Sequence, residues 1–92
     1  MKFISIQQAL EQKQGQVALR GWIYRERGSN KFKFLVLRDH SNIIQCVCKK
    51  ENFPAKEWNK IDKLLIESSV ELEGDIKEKK ELQLAMKSRF PN

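Results

Sequence analysis

The sequence predicts an all-β fold with helical additions, in which five strands close into one small barrel. Three observations support this prediction. The 92 residues are enough for a single modest hydrophobic core and too few for two. Apolar and polar residues alternate in five separate stretches, which is the two-residue period of a β-strand. Between the third and fourth of these stretches, apolar residues recur instead at the spacing of an α-helix.

The whole chain is predicted to form one domain. Residues 1–15 are expected to be a helical extension, residues 16–87 the barrel, and residues 88–92 a tail or the start of a linker. In the extension, Ser5 can cap a short helix and Gln8 follows three residues later, which is the spacing of a capping box.

The first predicted strand begins at Gln16. Its apolar residues stand at every second position, at Val17, Leu19 and Ile23. Gly21 lies inside this strand, where a glycine weakens the pairing unless it permits a bend or a bulge. A strongly coiled strand in a small barrel needs such a bend, so we expect one here. The strand leads into residues 28–31, a turn-rich connection.

Strands two and three, at about 32–39 and 43–49, are predicted to form a hairpin. Asp39, Ser41 and Asn42 suit its turn. One face of the hairpin is apolar and is expected to face the core; it carries Leu35, Leu37, Ile44, Cys46 and Cys48. The other face presents a ring and an amide near several cations; it carries Phe34, Val36, Gln45 and Val47. That second face is suited to a flat, polar ligand.

A helix is predicted at about 54–66, and Pro54 fits its first turn. Trp58, Ile61 and Leu65 recur at helical spacing and are expected to form one apolar stripe in the core. Two further strands follow the helix. Their alternating positions are Val70, Leu72, Gly74 and Ile76 in strand four, and Leu82, Leu84 and Met86 in strand five.

The order of the elements identifies the barrel. A five-stranded Greek-key barrel with a helix between strands three and four, here with a short helix in front, is the OB-fold. Closure also removes the exposed strand edges that a small open sheet would leave. In an OB-fold, strands two and three and the adjacent loops bind oligonucleotides or oligosaccharides.

The composition favours a nucleic-acid partner. Eighteen lysines and arginines against twelve acidic residues give a net charge of +6, and the pI is near 9.5. No apolar run approaches the roughly 20 residues of a membrane span, and the N-terminus lacks the pattern of a secretory signal. These features predict a cytoplasmic protein without a membrane partner.

No metal or other cofactor is expected. Cys46 and Cys48 share one face of a strand, where their spacing gives poor geometry for a disulfide. With His40 as the only histidine, the chain lacks the four ligands of a zinc site. The two cysteines are therefore expected to be small buried hydrophobes.

Five stretches of the chain together resemble a known family. They are residues 20–27 (RGWIYRER), 34–39 (FLVLRD), 44–45 (IQ), 67–74 (ESSVELEG) and 81–84 (ELQL). The combination resembles the N-terminal anticodon-binding domain of class IIb aminoacyl-tRNA synthetases, over about residues 3–87. Among the three class IIb enzymes, the short loop at 28–31 and the ESSV run are most similar to the asparaginyl enzyme, with the aspartyl enzyme next.

The resemblance implies a binding site for the anticodon loop. In that family the phenylalanine matching Phe34 stacks on the central anticodon base, a uridine, and the glutamine matching Gln45 hydrogen-bonds the same base. The arginine matching Arg27 lies beside the anticodon. The glutamate matching Glu81 helps to select a neighbouring base. The family also implies a catalytic domain C-terminal to this one and a homodimer in the full-length protein.

The sequence departs from the family at the hairpin tip. His40 and Asn42 stand in a turn where the family usually has glycines, which is expected to shift the tip. This chain alone is not expected to be an enzyme, because it contains no nucleophile–base pair, metal cluster or phosphate loop. The full-length protein that it resembles would be an asparagine–tRNA ligase.

Physical chemistry supports these roles independently. Single-stranded RNA bases stack on aromatic rings and are recognised at their Watson–Crick edges. Stacking is worth about 1–3 kcal/mol per base and does not select a base. A glutamine amide can donate to a uracil carbonyl and accept from the uracil N–H, a pattern that cytosine reverses. Arg25, Lys31 and Lys33 are expected to contact phosphates, together with Arg27.

Other interpretations of these residues stay open at the level of sequence. Phe34 could be an ordinary half-buried strand residue and Gln45 a solvated one. The arginines could form weak ion pairs with Glu26 and Glu71, and Arg38 could pair with its neighbour Asp39. The alternatives to an anticodon-binding domain are a stand-alone, sequence-tolerant binder of single-stranded nucleic acid and a protein-interaction module.

Overall fold

The computed structural model describes residues 2–12, 14–77 and 81–84. The described elements, in chain order, are α1 (Ile6–Gln12), β1 (Gly15–Gly28), β2 (Phe32–Arg38), β3 (Ile43–Lys49), a 3₁₀ turn (Lys50–Asn52), α2 (Ala55–Asp62), β4 (Ser69–Lys77) and β5 (Glu81–Leu84). The predictions for Met86 and the tail at 88–92 lie outside the described residues. Neither described helix is long and apolar enough to cross a membrane.

The five strands form a closed barrel in the order β1-β2-β3-β5-β4. β1 is long enough to pair along both of its edges: Gly15–Trp22 pairs with β4, and Trp22–Gly28 pairs with β2. β3 and β5 run parallel and complete the circle, while the other strand pairs are antiparallel. This arrangement confirms the predicted OB-fold, with α2 between β3 and β4 and α1 in front.

The alternation predicts the buried faces of β1 to β4 correctly, and Leu82 of β5 is buried as expected. Val47 lies on the outward face of β3 and is nevertheless buried. The core combines inward-pointing residues of all five strands with residues of the helices; it contains Val17, Leu19, Ile23, Leu35, Leu37, Ile44, Cys46, Cys48, Val70, Leu72, Ile76 and Leu82 from the strands, and Ile6, Ala9, Trp58 and Ile61 from the helices. Ala18 points the other way and is nevertheless buried, because the extension before α1 pairs with it through Phe3 and Ile4.

The predicted helix at 54–66 was too long, and the position of Leu65 was wrong. α2 ends at Asp62, and Pro54 is its N-cap residue rather than part of its first turn. The side chain of Leu65 is 71% exposed, whereas Leu64 is buried with 4% exposure and completes the apolar stripe.

The backbone after α2 explains this error. The N–H of Leu64 donates to the carbonyl of Ile61, three residues earlier, so the chain tightens and helical spacing no longer applies. Glu67 then adopts a left-handed conformation with φ of 77°. Its N–H donates to the carbonyl of Ile23 at 2.7 Å, which attaches this segment to β1.

Both buried cysteines carry thiols that are unreactive at neutral pH. Cys46 and Cys48 are free and lie on the core face of β3, as predicted. Burial raises the pKa of Cys46 well above its usual value, with a further contribution from Cys48. Burial also raises the pKa of Cys48 to about 12, although Lys33 opposes this shift. Both side chains therefore act as apolar packing groups.

The predicted capping box at the start of α1 is present. The N–H of Ser5 donates to Oε1 of Gln8 at 2.9 Å, and the N–H of Gln8 donates to Oγ of Ser5 at 3.1 Å. These two bonds satisfy donors that a helix N-terminus otherwise leaves free.

Asp39 joins α1 to the turn between β2 and β3. Its Oδ2 accepts a hydrogen bond from the N–H of Ile6 at 2.9 Å. Its Oδ1 accepts bonds from the N–H and hydroxyl of Ser41 and from the N–H of Asn42. The amide of Asn42 in turn donates to Oε1 of Gln7 at 2.8 Å. The side chain of Asn42 therefore helps to hold this turn against α1.

Replacing Asp39 with alanine is expected to lower the free energy of unfolding by about 1–3 kcal/mol at neutral pH, because the donors of Ile6 and Ser41 lose their acceptor. Burial raises the pKa of the Asp39 carboxyl, but the hydrogen bonds from Ser41, Ile6 and Asn42 outweigh burial and hold this pKa below its usual value of 3.8. A depressed folded-state pKa gives stabilisation that is present above the unfolded-state pKa and lost as the pH falls through the folded-state value.

Urea unfolding of the wild type and Asp39→Ala, from neutral pH down to about pH 3, checks this expectation. The difference in unfolding free energy between the two proteins should shrink as the pH falls below about 4. Asp62→Ala serves as a control, because Asp62 is exposed. A difference between wild type and Asp39→Ala that stays constant over this range would contradict the assignment.

Candidate nucleic-acid interface

A bulge in β1 sets the direction of two arginine side chains. Tyr24 is the extra residue, so that Arg25 lies opposite Val36 and Arg27 lies opposite Phe34. Opposite residues of an antiparallel pair point to the same face, so both arginines share the outward face of β2. Without the extra residue, strict alternation from the buried half of β1 would turn both arginines toward the core side.

An aromatic surface lies next to these arginines. The ring of Phe34 is half-buried, and Cζ of Arg27 lies 5.8 Å from its centre. The ring of Phe32 lies 6.4 Å from that of Phe34, centre to centre, with 20° between the ring planes. Phe32 is 39% exposed. Alternate residues of a strand are about 6.6 Å apart, so the two rings stand side by side along the strand.

Gln45 lies diagonally across the hairpin from Phe34. It is exposed and pairs with Val36 on one side and with Glu81 of β5 on the other. Diagonal neighbours in such a pair are about 7–8 Å apart, which a planar ligand can span. Among the described residues, none forms a hydrogen bond with the Gln45 amide. Its donor and acceptor are therefore available to a ligand.

The structure brings five of the seven predicted site residues together on one surface. This surface, called the hairpin face below, carries Arg25, Arg27, Phe34, Gln45 and Glu81. Lys31 is exposed in the adjoining turn between β1 and β2, where the N–H of Ser29 donates to the carbonyl of Phe32 at 2.8 Å.

Lys33 does not lie on the hairpin face, contrary to its predicted role as a phosphate contact. It is only 5% exposed, because it shares the core side of β2 with Leu35 and not the outward side. Its Nζ lies 2.7 Å from Oε2 of Glu26 and donates to the carbonyl of Asp62 at the end of α2. This lysine holds the helix against the barrel, so we exclude it from the phosphate contacts. The alternation in β2 already indicates this, because Lys33 stands two residues before Leu35 and therefore on the same face.

The alternative ion pairs for the arginines are not formed among the described residues. Glu26 instead pairs with Lys33, and the other ion pair found there, Lys60–Glu57, contains no arginine either. The hydrogen bonds to Asp39 come from Ile6, Ser41 and Asn42, so Arg38 is not its partner.

Sequence reasoning missed several exposed side chains next to the hairpin face. They are Trp22, Tyr24, Phe32, Arg38 and Ile43. Phe32 could have been found, since it stands two residues before Phe34. Trp22, Arg38 and Ile43 form one row across β1, β2 and β3. That row depends on the register of three strands, and the place of Tyr24 depends on the bulge, so neither follows from local pattern.

Most of the chain is similar to known proteins. A model of the tRNA anticodon family, an OB-fold nucleic acid binding domain, matches residues 17–88. The asparagine–tRNA ligase of Thermoplasma acidophilum is 48% identical over 62 residues, which are 67% of this chain and 14% of that protein. The asparagine–tRNA ligase of Thermococcus gammatolerans is 48% identical over 61 residues, 66% of this chain and 14% of that protein.

This chain is also similar to a solved structure of an asparaginyl-tRNA synthetase, over nearly its whole length. The crystal structure of asparaginyl-tRNA synthetase from Pyrococcus horikoshii, complexed with asparaginyl-adenylate, matches with a TM-score of 0.85 and 29% identity. The match covers 98% of this chain and 22% of that chain. The chain therefore spans only a small part of the relatives that it matches.

Proposed function

We infer that this chain, which belongs to the tRNA anticodon family of OB-fold nucleic acid binding domains, binds the anticodon loop of a transfer RNA through its hairpin face. The observation that carries this proposal is the diagonal placement of an aromatic ring, Phe34, and an exposed amide, Gln45, on the outward side of β2 and β3; within the described part of the chain this amide has no hydrogen-bond partner. Recognition of an unstacked base requires these two groups: a ring on which the base stacks, and a polar group that hydrogen-bonds its Watson–Crick edge.

Phe34 supplies affinity for the bound base, and Gln45 selects which base is bound. A base stacks on the Phe34 ring, which gains about 1–3 kcal/mol whichever base it is. The Gln45 amide then donates to a uracil carbonyl and accepts from the uracil N–H. Cytosine presents the reverse pattern and leaves buried groups unpaired, at a cost of about 1–3 kcal/mol per group. We therefore propose that the central base of the anticodon is uridine.

The remaining residues of the hairpin face act around this base. Arg27 lies beside the Phe34 ring, where its charge meets the phosphates of the splayed strand. Arg25 and Lys31 are exposed on either side and are proposed as further phosphate contacts. We propose that the carboxylate of Glu81 accepts a hydrogen bond from a neighbouring base, which is supported by its pairing in register with Gln45.

We propose that the full-length protein is an asparagine–tRNA ligase of the cytoplasm, with its catalytic domain C-terminal to this domain and a homodimeric assembly. The support is the similarity to asparagine–tRNA ligases, of whose length this chain covers 14%. The anticodon-binding domain would then select the tRNA, and the remainder of the protein would carry the chemistry.

The proposal is tested by titrating the chain with RNA stem-loops that carry the asparagine, aspartate and lysine anticodons, and with one whose central uridine is replaced by cytidine. We expect the cytidine variant to bind about 5- to 150-fold more weakly, which corresponds to one unpaired buried group. Equal affinity for uridine and cytidine would indicate a sequence-tolerant single-strand binder. Undetectable binding of every RNA at low salt would indicate a protein-interaction module.

Gln45→Ala is expected to reduce the preference for central uridine over cytidine to less than about threefold, while affinity for the cytidine stem-loop changes little, because stacking on Phe34 remains. The same titrations measure this ratio. Gln16→Ala is the control, since Gln16 is also exposed but lies at the β4-paired end of β1, outside the hairpin face. An unchanged preference in Gln45→Ala would refute the role of this amide.

A further inference from the structure

The bulge residue Tyr24 contacts two arginines at once. Cζ of Arg25 lies 5.2 Å from the centre of its ring, and Cζ of Arg38 lies 5.5 Å from it. Both distances are within the range of about 6 Å in which an aromatic ring attracts a guanidinium. Tyr24 is 36% exposed, and both arginines are exposed. One surface ring is thus in contact with two cations.

Neither guanidinium is neutralised within the part of the chain that the structure describes. The carboxylate nearest in sequence to Arg38, that of Asp39, accepts its hydrogen bonds from Ile6, Ser41 and Asn42. No carboxylate of the described residues forms an ion pair with Arg25 or Arg38. Both positive charges are therefore free to attract a bound anion.

The two cations point to the same side of the sheet as the stacking ring. Phe34, Val36 and Arg38 are alternate residues of β2 and share its outward face, and Arg25 lies opposite Val36. Arg38 stands four positions after Phe34 in the strand, so their Cα atoms are about 13 Å apart. An RNA strand with one base on Phe34 can therefore bring its backbone over this pair of cations.

We propose that Tyr24, Arg25 and Arg38 form a phosphate-binding subsite for the RNA backbone next to the base held by Phe34. The proposal rests on the proposed function, because its ligand is part of the same RNA. The planar guanidinium of Arg38 suits the oxygens of a phosphodiester. Tyr24 is a positioning residue, whose ring orients the two guanidiniums. Phosphate contacts add affinity and register without selecting a base.

Arg38→Gln is the first test, with the asparagine-anticodon stem-loop as the probe at several salt concentrations. We expect about a 5- to 10-fold loss of affinity, and a salt dependence that is less steep by about 0.7 for the one phosphate no longer neutralised. The preference for uridine over cytidine should stay that of the wild type. Lys56→Ala, which removes an exposed cation of α2, is the control and should bind within about twofold of the wild type.

Tyr24→Leu and Tyr24→Phe form the second test. Leucine removes the ring that holds the guanidiniums and should lower the affinity about 2- to 5-fold, since one attracted guanidinium is worth about 0.5–1 kcal/mol at an exposed site. Phenylalanine keeps the ring and should restore wild-type affinity. A loss in Tyr24→Phe equal to that in Tyr24→Leu would show that the hydroxyl acts directly and would overturn the positioning role.

The outcomes separate this subsite from the proposed function. Arg38→Gln with unchanged affinity and salt dependence, in a protein whose base preference is intact, overturns the subsite and leaves the anticodon site standing. A wild-type protein that binds no RNA overturns both. A loss of affinity in Arg38→Gln that is accompanied by loss of base preference would mean that Arg38 contacts a base, and this too would overturn the phosphate assignment.

Discussion

Replacing Phe34 with alanine is expected to weaken binding of a stem-loop with central uridine by about 1–3 kcal/mol, which is about 5- to 150-fold. The ring supplies the stacking surface. Without it, the base is held only by its hydrogen bonds to Gln45. Phe34 is half-buried on the outward face, so removing it opens no cavity inside the barrel. Affinity is measured by fluorescence anisotropy, and folding by thermal unfolding of the same samples.

Phe3 provides a matched control for this experiment. Its ring is also half-buried and also lies beneath an arginine, with Cζ of Arg20 at 4.8 Å from the ring centre. It belongs to the extension before α1 and lies outside the hairpin face. Phe3→Ala should therefore bind RNA as the wild type does. Equal binding by Phe34→Ala and wild type would remove the central claim of the proposed function.

Replacing Gly21 with alanine is expected to destabilise the fold by about 1–3 kcal/mol or more, because a Cβ at this position would lie 2.2 Å from the carbonyl oxygen of Arg38. The obstacle is backbone of the neighbouring strand, which cannot rotate away as a side chain can. For a domain of this size, the melting temperature should fall by about 4–8 °C per kcal/mol. Thermal unfolding measures the effect.

Gly28→Ala is the comparison for Gly21→Ala. A Cβ at Gly28 would approach Cδ of Lys33 at 2.9 Å, an atom of a long side chain, and the nearest backbone atom is 3.3 Å away. The expected loss is smaller than at Gly21. Should the two variants melt at the same temperature as the wild type, the close approach between β1 and β2 does not govern stability.

The sequence predicted those features that depend on one strand at a time. The buried and outward faces of β2 and β3 follow from alternation, and this placed Phe34 and Gln45 outward and Cys46 and Cys48 inward. Lys33 is the exception, because its charge suggests a phosphate contact whereas its position in the same alternation puts it on the core side.

Features that depend on contacts between distant segments could not be predicted in this way. Glu81 lies beside Gln45 only because β5 closes the barrel parallel to β3. The end of α2 and the burial of Leu64 depend on the attachment of Glu67 to Ile23. The contact of the Tyr24 ring with two guanidiniums depends on the bulge, which the alternating pattern of β1 does not predict.

The number of residues in the bulged segment of β1 determines which side chains lie on the hairpin face. The segment between Ile23 and Gly28 carries one residue more than the strand opposite it. With one extra residue, the guanidiniums of Arg25 and Arg27 lie on the outward face. With no extra residue or with two, they would turn toward the core, whatever the other residues of the segment are. The parity of this segment, more than its individual side chains, therefore decides whether the barrel offers a cationic surface to RNA.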